Sequence, residues 1–304
     1  MLDAWQPDRV FTATRPHVLS YRAPYDWPSM RAWLAARSIP GVELVSDEGY
    51  ARTARLGDAF VVVQVRHRPA IDAFEMTVDA SAPIDPQDVS SRVRRVLDLD
   101  RDASSVLHLS GDPQLASALA RHPGLRVPGG WDPFELAVRA ILGQQVTVVA
   151  ARQLAGALVG TCGVRLPVTL ATAALATTFP SARDLQSASL DALRMPGARK
   201  ATLRALAAAA LDEPALLDGS RSLDDIIVGL RGVKGIGDWP AQYVALRALR
   251  APDAFPASDV GQLRGAARVF GERPSPAALL ARADAWRPHR AYAAQLLWAE
   301  DGDA

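Results

Sequence analysis

The segment at residues 230–243 (LRGVKGIGDWPAQY) concentrates residue types that handle an anion. Gly232, Gly235 and Gly237 fall within six residues, Ile236 stands alone between two of them, and Asp238-Trp239-Pro240 opens a helix. Glycine permits positive φ and close approach of another backbone. Successive backbone N–H groups ahead of a helix N-terminus form an anion site, and Lys234 adds a cation at the turn. The ligand this suits is a phosphate, and in a helical protein the phosphate of a nucleic-acid backbone. A dinucleotide-binding turn uses similar glycines but follows a strand, and no strand pattern precedes these.

The second chemical candidate is Asp259, which follows Ser258 in the loop PDAFPAS and opens the helical pattern DVGQLRGAARVF. A carboxylate at a helix N-terminus is stabilised in its charged form by roughly 0.3–1 kcal/mol. An ionised acid can stabilise positive charge developing in a transition state. Taken alone, Asp259 reads most simply as a helix cap. Trp239 and Tyr243 are four residues apart and share one helix face. Trp298 and Tyr292 lie on the last helical pattern, with Trp286 just before it; taken alone, such aromatics are core. The five histidines show no metal-ligand spacing, so no side-chain metal site is expected.

The elements that must position these residues follow from periodicity. A helix is predicted over 27–37, with Met30, Trp33 and Leu34 at helical spacing. Strands are predicted over 59–65 and 73–78, and a helix over 91–99. Residues 113–122 read as a helix ended by Pro123-Gly124. Asp132-Pro133 is an N-cap followed by proline at the first helical position. Phe134, Ala137, Val138, Ile141 and Leu142 then form one apolar stripe. Gly143 reads as its C′ stop, Gln144-Gln145 as the turn, and Thr147 as the cap of a helix to about Val159. Further helices are predicted over 185–194, 198–211 and 222–230. The fold class expected is an α+β N-terminal domain over residues 1–108, a small antiparallel sheet with helices, carrying a short extension at 1–16. A mainly α-helical body over 109–304 follows, with the hairpin at 231–237.

Composition bounds the function. The 304 residues suggest two domains. Hydrophobic residues at 49 % exclude disorder of the whole chain. A single cysteine, Cys162, excludes a disulfide scaffold and a four-cysteine metal site. A net charge of +1 argues against indiscriminate coating of nucleic acid but permits a local basic face. Only Lys200 and Lys234 are lysines among 34 basic side chains, so a Schiff-base mechanism has few candidates. No apolar run spans a bilayer and no signal peptide is read; a cytoplasmic protein is expected.

Four segments in order resemble the helix-hairpin-helix DNA glycosylases, most closely the AlkA type: PYDWPSMRAWLAAR, DPFELAVRAILGQQVT, LRGVKGIGDWPAQYVALRA with PDAFPASDVG, and AWRPHRAYAAQLLWAEDG. The resemblance covers roughly residues 18–304. It implies base flipping and hydrolysis of the N-glycosidic bond of alkylated bases, 3-methyladenine among them, with Asp259 as the catalytic aspartate. It maps Trp239, Tyr243, Trp298 and Trp33 onto a base pocket. Such rings suit cationic alkylated purines, since cation–π attraction contributes about 0.5–2 kcal/mol per contact. It assigns Gly232, Lys234, Gly235, Gly237, Gln144 and Gln145 to DNA. Bifunctional relatives carry a lysine just after the hairpin, where this chain has Trp239. A monofunctional enzyme is therefore implied, using water and leaving an abasic site. Gln145 stands where AlkA proteins can have an apolar wedge. Gly261 stands where relatives can have a bulkier residue, which implies a roomier pocket. No cofactor is implied beyond a monovalent cation on hairpin carbonyls near Arg231, Val233 and Ile236. The implied partner is double-stranded DNA with alkylated bases, bound by a monomer, away from membranes and with the nucleoid. The alternatives are a non-catalytic hairpin DNA-binding protein and a glycosylase for another lesion, such as an oxidised guanine or uracil.

Overall fold

The valine run AFVVVQV drives the N-terminal sheet. In a computed structural model, which describes residues 16–101 and 103–302, this run lies in β4 (Ala59–Arg68). The expected extension lies, but for its last residue, outside the described residues. Val61, Val63 and Val65 point to one face and are fully buried, as the period of two requires. β4 pairs antiparallel with β3 (Gly49–Leu56) and β5 (Ala73–Ala80), and β1 (His17–Ser20) and β2 (Glu43–Val45) complete the order β1-β5-β4-β3-β2. α1 (Trp27–Arg37) and α2 (Pro86–Leu97) close one core with Met30, Leu34, Val89, Val93 and Val96. On the opposite face Ala51 and Val62 meet Leu166, Leu170 and Leu175 from the helical body.

The sequence pattern finds β4 and β5 but not β1, β2 or β3. The reason is legible in β3: Arg52 and Thr53 are both buried in the strand, so hydrophobic alternation is broken. Arg52 is tolerated inside because its Nη2 donates to Glu135 Oε2 at 2.7 Å. Arg139 donates to Glu135 Oε1 and Glu43 Oε2, both at 2.6 Å. This network joins the sheet to α5 (Pro133–Leu142). Burial pushes the Glu43 carboxyl up, but Arg139 and Arg52 outweigh it and hold it below the usual range.

The rest is mostly helical: α3 (Ala103–Leu109), α4 (Pro113–Arg121), α5, α6 (Val148–Cys162), α7 (Ala182–Ser187), α8 (Gly197–Asp212), α9 (Leu223–Gly232), α10 (Asp238–Arg247), α11 (Val260–Phe270), α12 (Pro276–Ala283) and α13 (Arg290–Asp301). A second core runs through them from Leu109 to Trp298 and takes in Ile39 and Val42. Asp132 and Thr147 cap α5 and α6 through Glu135 N and Ala150 N, at 3.0 and 3.2 Å.

Two expectations, the helix over 185–194 and the Gly143 stop, need correction. The helix predicted over 185–194 is α7, which starts earlier on a Ser181–Asp184 capping box and stops at Ser187. Leu190 and Leu193 keep their apolar spacing and are buried, but from turns. Arg204 caps the early helix end through the carbonyls of Leu185, Gln186 and Ala188. The body is mainly helical as expected, and within it β6 (Val164–Arg165) and β7 (Thr177–Thr178) form a small hairpin against the sheet. Gly143 ends α5 as a right-handed cap at φ −81°, and Gln145 takes the left-handed conformation at φ 57°.

Candidate active site

Asp259 is the N-cap of α11, and its Oδ1 accepts from Gln262 N at 3.1 Å. Two indoles also grip it. Trp298 Nε1 donates to Oδ1 at 2.8 Å and Trp239 Nε1 donates to Oδ2 at 2.6 Å. A carboxylate whose two oxygens are both engaged has no rotational freedom left, so its direction is preset. The two tryptophans come from helices far apart in sequence, α10 and α13, and the acid from a third.

Tyr243 stacks on Trp239, one helical turn earlier, with ring centroids 5.3 Å apart at 19°. It meets Trp298 edge-on at 6.1 Å and 78°. Trp33, delivered by α1, completes an aromatic wall. These rings, Asp259 and the Gln144-Gln145 turn line one cleft of about 1290 Å³. Of the C-terminal aromatics only Trp298 faces it. Tyr292 is buried and donates to Asp98 Oδ2 at 2.6 Å; Trp286 is buried and donates to Asp112 Oδ2 at 3.1 Å.

The glycine hairpin connects α9 to α10, with Ile236 buried as its plug and Lys234, Gly235 and Gly237 exposed. Only Gly235 requires glycine conformationally: its φ is +92°, and a Cβ there would lie 1.9 Å from Thr202 Oγ1. Gly232 and Gly237 have negative φ and open space around them, which corrects the expectation that all three are turn-makers. Gly237 caps α10 with no side-chain hydrogen bond. Gln144 joins this surface by donating from Nε2 to Gly235 O at 3.4 Å, while Gln145 is exposed beside it. Neither lysine lines the cleft: Lys200 Nζ donates to Asp191 O at 3.0 Å, and Lys234 faces solvent.

Among the cleft side chains that escaped the sequence reading are Arg37 and Arg247. Each stands four residues past a pocket aromatic, Trp33 or Tyr243, so helical periodicity was the signal that could have found them. Gly261 also differs from expectation. A Cβ there would lie 3.1 Å from Asp259 Oδ1 and 3.1 Å from Trp298 Cδ1, so its space is already used by the carboxylate and its indole partner.

A carboxylate held by two indoles thus lines an aromatic cleft beside a glycine hairpin, on a sheet-plus-helices frame. The frame matches a 3-methyladenine DNA-glycosylase from Archaeoglobus fulgidus with a TM-score of 0.81 at 20 % identity, covering 94 % of this chain and 98 % of that one. The model of the AlkA N-terminal domain matches residues 17–132. Over 94 % of the chain and 98 % of its relative, the sequence is 32 % identical to the DNA-3-methyladenine glycosylase 2 of Escherichia coli strain K12. The chain belongs to the AlkA family of DNA-3-methyladenine glycosylases. It is also 38 % identical to a probable bifunctional transcriptional activator/DNA repair enzyme AlkA of Mycobacterium tuberculosis, over 92 % of this chain; there it spans about half the relative, 56 % of its length.

Proposed function

We propose that the protein is a monofunctional DNA glycosylase that draws an alkylated base, 3-methyladenine or a related purine adduct, out of duplex DNA and hydrolyses its N-glycosidic bond. The observation that carries this is the Asp259 carboxylate, fixed by Trp239 and Trp298 at the edge of the aromatic cleft. An extruded nucleotide that stacks its base in the cleft brings its sugar to that edge. As the bond to the base stretches, positive charge builds on the sugar. A preset anion stabilises that charge without reorganising. Water then adds to the sugar carbon, the base leaves with the bonding pair, and an abasic site remains. The hairpin amides at Gly235 and Gly237, with Lys234, hold a backbone phosphate. Gln144 and Gln145, next to the hairpin, fill the gap left in the duplex.

The absence of either lysine from the cleft lining supports a hydrolytic enzyme over one that forms a Schiff base. The test is base release from a duplex with one alkylated adenine, with strand integrity followed before and after alkali. Release with breakage only after alkali is expected. Breakage without alkali refutes the monofunctional reading, and tight binding without release leaves only a DNA-binding role.

A further inference from the structure

The two helices that carry Asp259 and Trp298 meet across glycine. Gly261, Arg264, Gly265 and Arg268 recur at helical spacing on α11, and all four face α13. A Cβ on Gly265 would lie 1.8 Å from Leu297 O. One on Gly261 would lie 3.1 Å from Trp298 Cδ1 and 3.2 Å from Asp301 Oδ2. Such glycines let two backbones touch. They also leave α11 without a side-chain ridge to seat in a groove of α13 at these positions. The contact therefore fixes the spacing of the helices but not their register along the axis.

Two arginines supply the register. Arg264 Nε donates to Asp301 Oδ1 at 2.8 Å and its Nη2 to Oδ2 at 2.6 Å, a bidentate pair. Arg268 Nη1 donates to the main-chain oxygens of Glu300 and Asp301, at the end of α13 where a cation also complements the helix dipole. The Asp301 carboxylate is buried and lines the cleft, while the Arg264 side chain is 43 % exposed. Asp301 lies one turn beyond Trp298, whose indole donates to Asp259 at 2.8 Å. Asp259 in turn caps α11. The two ends of that hydrogen bond thus belong to the two helices that the arginines clasp, and a slip of about 1 Å between them would spoil its geometry.

We propose that Asp301 and Arg264 are positioning residues for Asp259. Their ion pair fixes the register of α11 against α13 and so keeps the Trp298 indole on the carboxylate. This rests on the glycosylase reading above. Misplacing a reacting group by about 1 Å costs up to roughly 100-fold in rate, so a clasp remote from the base has a direct effect on the chemical step.

The experiment is single-turnover release from a duplex with one alkylated adenine, under enzyme excess. Asp301→Asn and Arg264→Gln should each slow release by about ten-fold, with affinity for an abasic-analogue duplex changed by less than about three-fold. The two substitutions shift the local charge in opposite directions, so a purely electrostatic role would slow one variant and speed the other. In a chain that already carries Asp259→Asn, either substitution should alter the residual rate by less than about two-fold, because no carboxylate is left to aim. A general loss of structure would instead lower the rate by the same factor in both backgrounds. Asp301→Asn leaves Arg264 within reach of solvent, and Arg264→Gln keeps the test open if Asp301→Asn does not fold. Parental rates in both variants, opposite effects of the two, or equal losses with and without Asp259 each overturn the proposal. Those outcomes leave the glycosylase reading standing; failure of the parent chain to release the base refutes that reading, and this inference with it.

Discussion

Replacing Asp259 by Asn separates the chemistry from the fold. Asn is as good an N-cap as Asp, so the bond from Gln262 N survives. The side chain keeps one oxygen for Trp298 but turns an amide N–H₂ toward Trp239 Nε1, where the carboxylate accepted at 2.6 Å. Loss of that charge-assisted bond costs about 1.5–3 kcal/mol locally, part of it recovered as Trp239 shifts. The larger effect is in the transition state. A full negative charge about 5 Å from the developing sugar cation is worth roughly 3 kcal/mol at an effective dielectric of about 20. That corresponds to a loss of roughly two orders of magnitude in the chemical step. The assay is single-turnover base release under enzyme excess, paired with affinity for a duplex carrying an abasic analogue. The expected outcome is release slowed by about 100-fold or more, with affinity changed by less than about three-fold, because binding draws on the hairpin and cleft walls. Release by Asp259→Asn within about three-fold of the parent would refute the reasoning, since among the described residues no other carboxylate lining the cleft accepts from two indoles.

Other outcomes follow from the same geometry. Gly235→Ala forces a side chain into left-handed backbone, at about 1–2 kcal/mol, and drives its Cβ onto Thr202 Oγ1; melting temperature and DNA affinity should both fall, and Thr202→Ala in the same chain should restore the clash component only. Lys234→Ala should weaken binding evenly across sequences and reduce the slope of log K against log salt by about one, read from titrations at several ionic strengths. Glu43→Gln removes one of the two carboxylates facing Arg139, which keeps Glu135, so denaturation at neutral pH should show a loss of about 1.5–3 kcal/mol, that of a hydrogen bond to a charged group. Glu43 is held below the usual carboxylate range by its arginines, so its contribution is present above its unfolded pKa, about 4.3, and lost as pH falls through the lower folded value. The gap between parent and variant should therefore persist at pH 6 and close in acid; a gap that widens there contradicts the assignment.

Much of the site was legible because the chain announces it with local rules: caps at Asp132, Thr147 and Asp259, glycines around Ile236, and aromatics four residues apart on α10. What escaped was set by pairing across the fold. β3 carries Arg52 into the interior only because Glu135 arrives from α5, 83 residues later, and no window along the strand contains that information. Leu190 and Leu193 kept helical spacing without a helix, since burial alone constrains spacing, while the backbone there is fixed by Arg204 reaching the carbonyls of a neighbouring turn. Arg37 and Arg247 are the instructive case. An arginine one turn beyond an aromatic reads as a solvated flank, and its ordinary place is outside. Here α1 and α10 converge so that both flanks turn inward on the same rings. The aromatic residues alone predict a cage that attracts cations. With the arginines in place the same rings already face the protein's own guanidinium groups, which the aromatic spacing alone does not reveal.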